Sequence, residues 1–220
     1  MKNYIKLLSQ TTLFSDISEE DIAKLCECLD AREKEIARDS FVFNAGDKVR
    51  SVYLILSGSM HIIDEDFWGN RSIIETLGVH TLFGEAYVLS AAEIHLVSVM
   101  AAEDSTVLEI DPVRLYETCS NVCTYHIELI KNTMRILSEK IVRLTEKFGH
   151  IAQRTTREKI LSYLSKCARQ ADSDSFYIPY TRQQLADYLC VERSALSHEL
   201  SKLSQSGLVY YRKNYFTLHS

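Results

Sequence analysis

The chain has 220 residues, 46% of them hydrophobic, which is room for one large domain or two small ones with real cores. Its formal net charge of -5, taken whole, argues against a nucleic-acid binder, but residues 1–148 carry 15 Lys/Arg against 24 Asp/Glu and residues 149–220 carry 10 against 6, giving -9 and +4. An acidic front half and a basic tail half suit a sensor joined to a DNA-binding domain, with chance asymmetry as the plain alternative. No N-terminal apolar segment and no run of about 18 apolar residues occurs, so a soluble, cytoplasmic protein without a membrane partner is expected. The cysteines Cys26, Cys28, Cys119, Cys123, Cys167 and Cys190 match no zinc or iron–sulfur spacing. They read as reduced, largely buried thiols, and no metal site is expected.

Residues 1–30 read as a helical prelude, with Ser18 capping a first turn of Glu19, Glu20 and Asp21 and with Ile22, Leu25, Cys26 and Leu29 as the apolar face. From about Ala31 to Ile110 the pattern changes to short β-rich runs such as Val52–Leu56 and Met60–Ile63. Five of the seven glycines fall here, at spacings expected of an all-β sandwich or barrel. Asp64 to Asn70 reads as the tip of a long hairpin, with Trp68 expected to be a packing residue rather than a ligand stacker.

Three stretches in this region, Phe43-Asn44-Ala45-Gly46-Asp47, Val52 to Gly58 and Leu82-Phe83-Gly84-Glu85, resemble the β-roll signature of the cyclic-AMP receptor / fumarate-nitrate regulator (CRP/FNR) family. The resemblance runs from about Leu13 to Leu218 and implies a homodimeric transcription regulator, with double-stranded DNA and RNA polymerase as partners. In cyclic-nucleotide-binding members a Gly-Glu pair is followed about ten residues on by Arg-Ser or Arg-Thr, whose guanidinium neutralises the cyclic phosphate. Gly84 and Glu85 are kept here, but His95 and Leu96 stand at the Arg-Ser position, and His80 stands where the family usually has a glycine. An imidazole and an isobutyl group do not replace a guanidinium fork and a hydroxyl, so cyclic AMP is not the expected effector. Loss of such a charge-assisted contact, roughly 1.5–3 kcal/mol, weakens binding by one to two orders of magnitude. A remodelled or vestigial pocket, a pocket for an apolar or aromatic effector, and a haem or metal site remain alternative accounts of His80 and His95.

Residues 112–151 carry a heptad seam. With Cys123, Ile130, Leu137, Leu144 and Ile151 at position a, position d falls on Ile127, Met134, Ile141 and Phe148, and all nine are apolar. Such a seam predicts a helix pairing with its twin through Cys123, Ile127, Ile130, Met134, Leu137, Ile141, Leu144 and Phe148, with burial inside one large domain as the alternative. In the family this helix also lines the effector pocket, which implies Thr133 and Met134 as contacts beside Gly84, Glu85, His95 and Leu96.

Gly149-His150 reads as a hinge, Gly149 being free to adopt backbone angles other residues avoid. Thr155 and Glu158 form a capping box for a helix through about Arg169, with Ile160, Leu161, Leu164 and Cys167 facing inward. Phe176 to Pro179 reads as a short strand. Tyr180–Leu203 then reads as two amphipathic helices joined by a tight turn: Thr181 and Gln184 cap the first, and Leu196, Leu200 and Leu203 are the buried face of the second. That leaves Arg193, Ser194, Ser197 and His198 pointing outward to read base edges, with Thr181, Arg182, Lys202, Arg212 and Lys213 placed for phosphates. An ordinary pair of packed helices is the bland alternative. The best-known members carry Glu at Ser194 and Arg at His198, so the half-site is not carried over from them. Leu208–Tyr211 and Tyr215–Leu218 make a hairpin wing around Arg212-Lys213-Asn214.

The expected fold is therefore α+β: residues 1–111 a β-roll sensor of the cyclic-nucleotide-binding type with N-terminal helices, 112–148 a dimerisation helix, 149–220 a winged helix-turn-helix. The expected function is a DNA-binding transcription regulator reading a palindromic operator under an effector other than cyclic AMP. The alternative is a ligand-binding signalling module whose tail binds protein. No nucleophile–base pair, metal cluster or phosphate loop points to an enzyme.

Overall fold

The computed structural model describes residues 4–90, 92–116 and 124–219. The chain divides into two compact units, residues 1–138 and 139–220. In the first, α1 (Ile5–Leu8), a 3-10 turn (Thr12–Phe14) and α2 (Glu19–Cys28) lead into β1 (Arg32–Ile36), β2 (Phe41–Phe43), β3 (Val52–Ser57), β4 (Met60–Glu65), β5 (Arg71–Leu77) and β6 (Leu82–Phe83). A short α3 (Glu85–Leu89) precedes β7 (Ser98–Ala101) and β8 (Ser105–Ile110), and α4 (Pro112–Tyr116) and α5 (Thr124–Ile151) follow. The cap expected at Ser18 forms, its hydroxyl accepting from the Asp21 amide at 3.2 Å.

Eight strands make two antiparallel four-stranded sheets, ordered β1-β8-β3-β6 and β2-β7-β4-β5. The run Val52–Leu56 is buried on both faces because it serves two cores. Val52, Leu54 and Leu56 face the N-terminal helices, Leu29 and Leu129, while Tyr53 and Ile55 pack with Phe43, Met60, Phe83, Val99 and Val107. An uninterrupted apolar run is the sequence mark of a strand with no solvent face. Asn132, buried on α5, donates to the carbonyls of Leu13 and Ser15 at 3.2 and 2.8 Å and ties the 3-10 turn to the helix.

Two expectations need correction. Trp68 does not pack against the body. Asp66 accepts from the amides of Trp68 and Asn70, a local turn that closes the hairpin tip by itself and leaves Trp68 81% exposed beside the edge of Phe67. Gly149 is not a break in the backbone either, since α5 runs through it to Ile151 and none of the left-handed residues is Gly149. The first seam position, Cys123, and Cys119 lie outside the described residues.

The second unit contains the end of α5, then α6 (Thr156–Ala171), β9 (Ser175–Tyr177), α7 (Arg182–Tyr188), α8 (Arg193–Gln205), β10 (Val209–Arg212) and β11 (Tyr215–Leu218). Both expected capping boxes are formed, Thr155 with Glu158 and Thr181 with Gln184. Ile160 and Leu164 are buried as expected, Leu161 and Cys167 partly so, and Tyr163 joins them. The wing sheet, ordered β10-β11-β9, covers the helices with Phe176, Val209 and Phe216.

Gly58 turns β3 into β4 with a φ of +79°, and a Cβ there would stand 2.7 Å from Ser105 Cβ and 2.8 Å from Ser105 Cα. Left-handed strain and overpacking act together at this position, so Gly58→Ala is expected to cost at least about 2 kcal/mol in urea unfolding.

Candidate nucleic-acid interface and sensor pocket

Helix α7 ends in a paired C-cap. The Cys190 amide donates to the Asp187 carbonyl at 3.2 Å and the Val191 amide to the Ala186 carbonyl at 3.0 Å. That geometry puts Cys190 at φ +52°, a left-handed position that glycine fills most easily. The chain thereby reverses tightly enough for α8 to start at Arg193. On α8, Leu196, Leu200 and Leu203 have no exposed surface. Arg193, Ser194 and His198 are exposed and Ser197 is half-buried, so one polar face near the helix N-terminus is presented to solvent. This is the face a recognition helix needs, a short run of donors and acceptors backed by a fixed apolar stripe.

The basic residues around it differ in their freedom. Arg212 and Lys213 are exposed at the wing tip, Lys213 in the left-handed turn at φ +57°. Lys202 is exposed and paired with Glu199 at 2.9 Å. The Arg182 guanidinium lies over the rings of Tyr211 at 5.0 Å and Phe216 at 5.8 Å, half-buried, so it joins α7 to the wing. Thr181 is exposed, and its hydroxyl accepts from the Gln184 amide. Sequence reasoning did not show that Arg182 is committed to the wing, because its aromatic partners Tyr211 and Phe216 lie 29 and 34 residues away.

In the first unit, Gly84 caps α3 at φ +84°, where a Cβ would stand 3.2 Å from the Ser51 carbonyl oxygen. Glu85 follows it and is buried. The His95 amide donates to the Asp47 carbonyl at 2.9 Å, and the His95 carbonyl accepts from the Gly46 amide at 2.8 Å, which holds residue 95 against the start of the β-roll. There the imidazole stacks on Phe43, centroids 3.7 Å apart and planes 12° apart, with Tyr87 edge-on at 5.0 Å. His95 is 2% exposed, and its Nδ1 finds no hydrogen-bond partner among the described residues. Burial pushes its pKa below the ordinary imidazole value, with Asp47 opposing in part. Leu96 points away, 71% exposed. His80 takes a left-handed φ of +67°, which accounts for the family's preference for glycine there.

On α5 the two implied contacts separate. Thr133 is buried and its hydroxyl donates to the Leu129 carbonyl, whereas Met134 is 63% exposed. Met134 lies with Ile127, Ile141, Leu144 and Phe148, all exposed, and with the half-buried Ile130 and Leu137, along one apolar line. Among the described residues, no group of three or more His, Cys, Asp or Glu is gathered for a metal ion, and no helix is long and apolar enough to cross a membrane.

Residues 33–121 match the cyclic nucleotide-binding domain family and residues 158–220 the Crp-like helix-turn-helix domain family. The regulatory protein HlyX of Actinobacillus pleuropneumoniae is 21% identical over 96% of this chain and 88% of its own length. The fumarate and nitrate reduction regulatory protein of Escherichia coli is 23% identical over 97% of this chain and 84% of its own length. Among solved structures, the c-di-GMP responsive global regulator CLP of Xanthomonas campestris superposes with a TM-score of 0.58 at 20% identity, covering 90% of this chain and 99% of that one. CprK in complex with OCPA superposes with a TM-score of 0.66 at 14% identity, covering 90% and 89%. A β-roll followed by a long helix and a winged helix-turn-helix defines a DNA-binding transcription regulator. The chain belongs to the CRP/FNR family.

Because Cys190 occupies a left-handed position, Cys190→Gly is expected to raise stability by up to about 1 kcal/mol in urea unfolding while leaving DNA affinity unchanged.

Proposed function

We propose that this regulator acts as a homodimer whose two α8 helices read a palindromic operator, with half-sites about one DNA turn apart. The observation that carries the reading is the polar face of α8, with Arg193, Ser194 and His198 exposed over a leucine stripe that has no exposure. In this reading Arg193 makes the charged contact, to guanine or to a phosphate, and Ser194, Ser197 and His198 face bases or backbone. Arg212 and Lys213 on the wing and Lys202 on α8 serve as phosphate anchors, with Thr181 at the start of α7, while Arg182 holds α7 to the wing that carries two of them. Pairing is supported by the exposed seam on α5, where Met134, Ile141, Leu144 and Phe148 are each more than 60% exposed. RNA polymerase is proposed as a further partner.

The effector is proposed to be something other than cyclic AMP. His95 supplies no permanent positive charge where the family places a guanidinium, and its ring lies flat on Phe43. An uncharged stacked ring suits an apolar or aromatic molecule, or a pocket filled by its own side chains, better than a cyclic phosphate. No resident metal or cofactor is proposed.

Arg193→Ala is expected to lower affinity for the selected operator by about tenfold, with the dimer intact by analytical ultracentrifugation. Unchanged affinity would remove α8 as the reader. Wild-type affinity should fall steeply with salt, and a flat salt response would favour a protein partner for this domain. Leu144→Glu, which places a charge on the seam, is expected to shift the chain to monomer and to weaken operator binding in parallel.

A further inference from the structure

The last turn of α5 ends in a buried histidine that DNA reading does not use. His150 is 5% exposed and its Nδ1 lies 2.8 Å from Ser162 Oγ on α6. Its Nε2 is buried with no hydrogen-bond partner among the described residues. A neutral ring meets these surroundings best with the proton on Nδ1, donated to Ser162, which leaves Nε2 as a bare lone pair. A second proton would put an N–H donor and a positive charge where no acceptor waits.

Aromatic rings close the site. Tyr163 on α6 stands edge-on to the imidazole at 5.7 Å and Tyr188 on α7 lies tilted to it at 6.3 Å, with Tyr180 5.0 Å from Tyr188. The charged groups facing His150 come from α5 and α6. Glu146, one turn back on α5, is paired with Lys166 on α6, and Arg169 lies one turn beyond. Lys147 sits over the Tyr188 ring at 5.6 Å. Glu146, the carboxylate that acts on His150, is thus already engaged by a lysine. Burial leads in lowering the pKa of His150 and the cations Lys166 and Arg169 add to it, Glu146 opposing. The same dryness pushes the Tyr188 phenol up to about 12 and raises the Cys167 thiol.

We propose that His150 is a pH-responsive clamp: neutral, it holds the end of α5 against α6 and α7, and protonated, it releases them. The direction follows from the environment. The folded chain keeps the imidazole neutral where the unfolded chain's imidazole, with an ordinary value of about 6.5, already takes up a proton. The unfolded or released state therefore binds more protons as pH falls, and the clamp is complete above that value and weakens below it. Because α7 leads through the Cys190 turn into α8, loosening here reaches the helix that faces DNA. The clamp itself stands whatever α8 reads.

The test uses the full chain. Ring resonances of His150 are followed by NMR through acid titration, assigned by their loss in His150→Phe. Unfolding midpoints are compared at neutral and mildly acidic pH for wild type, His150→Phe and the sensor-unit control His95→Gln. The clamp predicts that His150 titrates below about 6.5. It also predicts that the acid-induced drop in midpoint is smaller in His150→Phe than in wild type by on the order of 3 °C. His95→Gln should leave the His150 titration unchanged. A His150 titration at or above the ordinary value, or the same acid-induced drop in wild type and His150→Phe, overturns the proposal. Should His150→Phe not fold, the wild-type ring titration decides alone, with the resonance assigned by a triple-resonance experiment.

Discussion

A helix of 28 residues with apolar side chains on more than one stripe has to be covered on more than one side, and α5 sets this requirement for the chain. One side is met internally. Leu129 has no exposure, and Asn132 fixes the register by donating to two carbonyls of the 3-10 turn. The other side, with Met134, Ile141, Leu144 and Phe148, is open to solvent along successive turns. Burying a side chain of this size contributes about 1.5–3 kcal/mol, so several together outweigh the entropy of bringing two copies into one. In the proposed homodimer a twin helix supplies the matching surface, because a two-fold axis presents the same residues from both partners. The symmetry of the proposed operator is a consequence of this stripe.

The β-roll obeys a similar rule. Strand β3 has no solvent face, so the N-terminal helices must cover one side of it and the opposite sheet the other. Its neighbours inherit tight turns, which explains the left-handed glycines Gly58 and Gly84 and the left-handed His80. The backbone bonds of His95 to Gly46 and Asp47 draw its ring onto Phe43 at the edge of the inner core. In this arrangement the site proposed for the effector is a by-product of closing the roll, and the side chain at residue 95 sets part of its lining.

Much of this was legible in the residues because the signals are local or periodic. Thr155 with Glu158 and Thr181 with Gln184 announce helix starts within four residues, and the seam on α5 repeats at a spacing only a helix explains. Buried leucines on α8 follow from the same periodicity. What was not legible depends on partners distant in sequence. Arg182 is held by Tyr211 and Phe216, His95 by Phe43, and His150 by Ser162 with Tyr163 and Tyr188. Trp68 was misjudged for the opposite reason. A large indole usually needs burial, but here the turn made by Asp66 closes the tip by itself and Trp68 stays exposed.

At two positions the chain carries a histidine where the familiar family pattern has an arginine, His95 in the β-roll and His198 on α8. A guanidinium offers five donors in a fixed fork, and an imidazole offers two ring nitrogens in one plane. At residue 95 the exchange lets the ring lie flat on Phe43 and become buried, which a guanidinium without an anion would resist. At residue 198 the ring remains exposed, so the loss is of bidentate reach toward a base rather than of packing. In the proposed reading the charged part of recognition then rests on Arg193 at the start of α8 and on Arg212 and Lys213 at the wing tip, all exposed. A helix with one arginine among serines and a histidine discriminates through few contacts, and phosphate positioning by the wing has to supply the register in which those few contacts form.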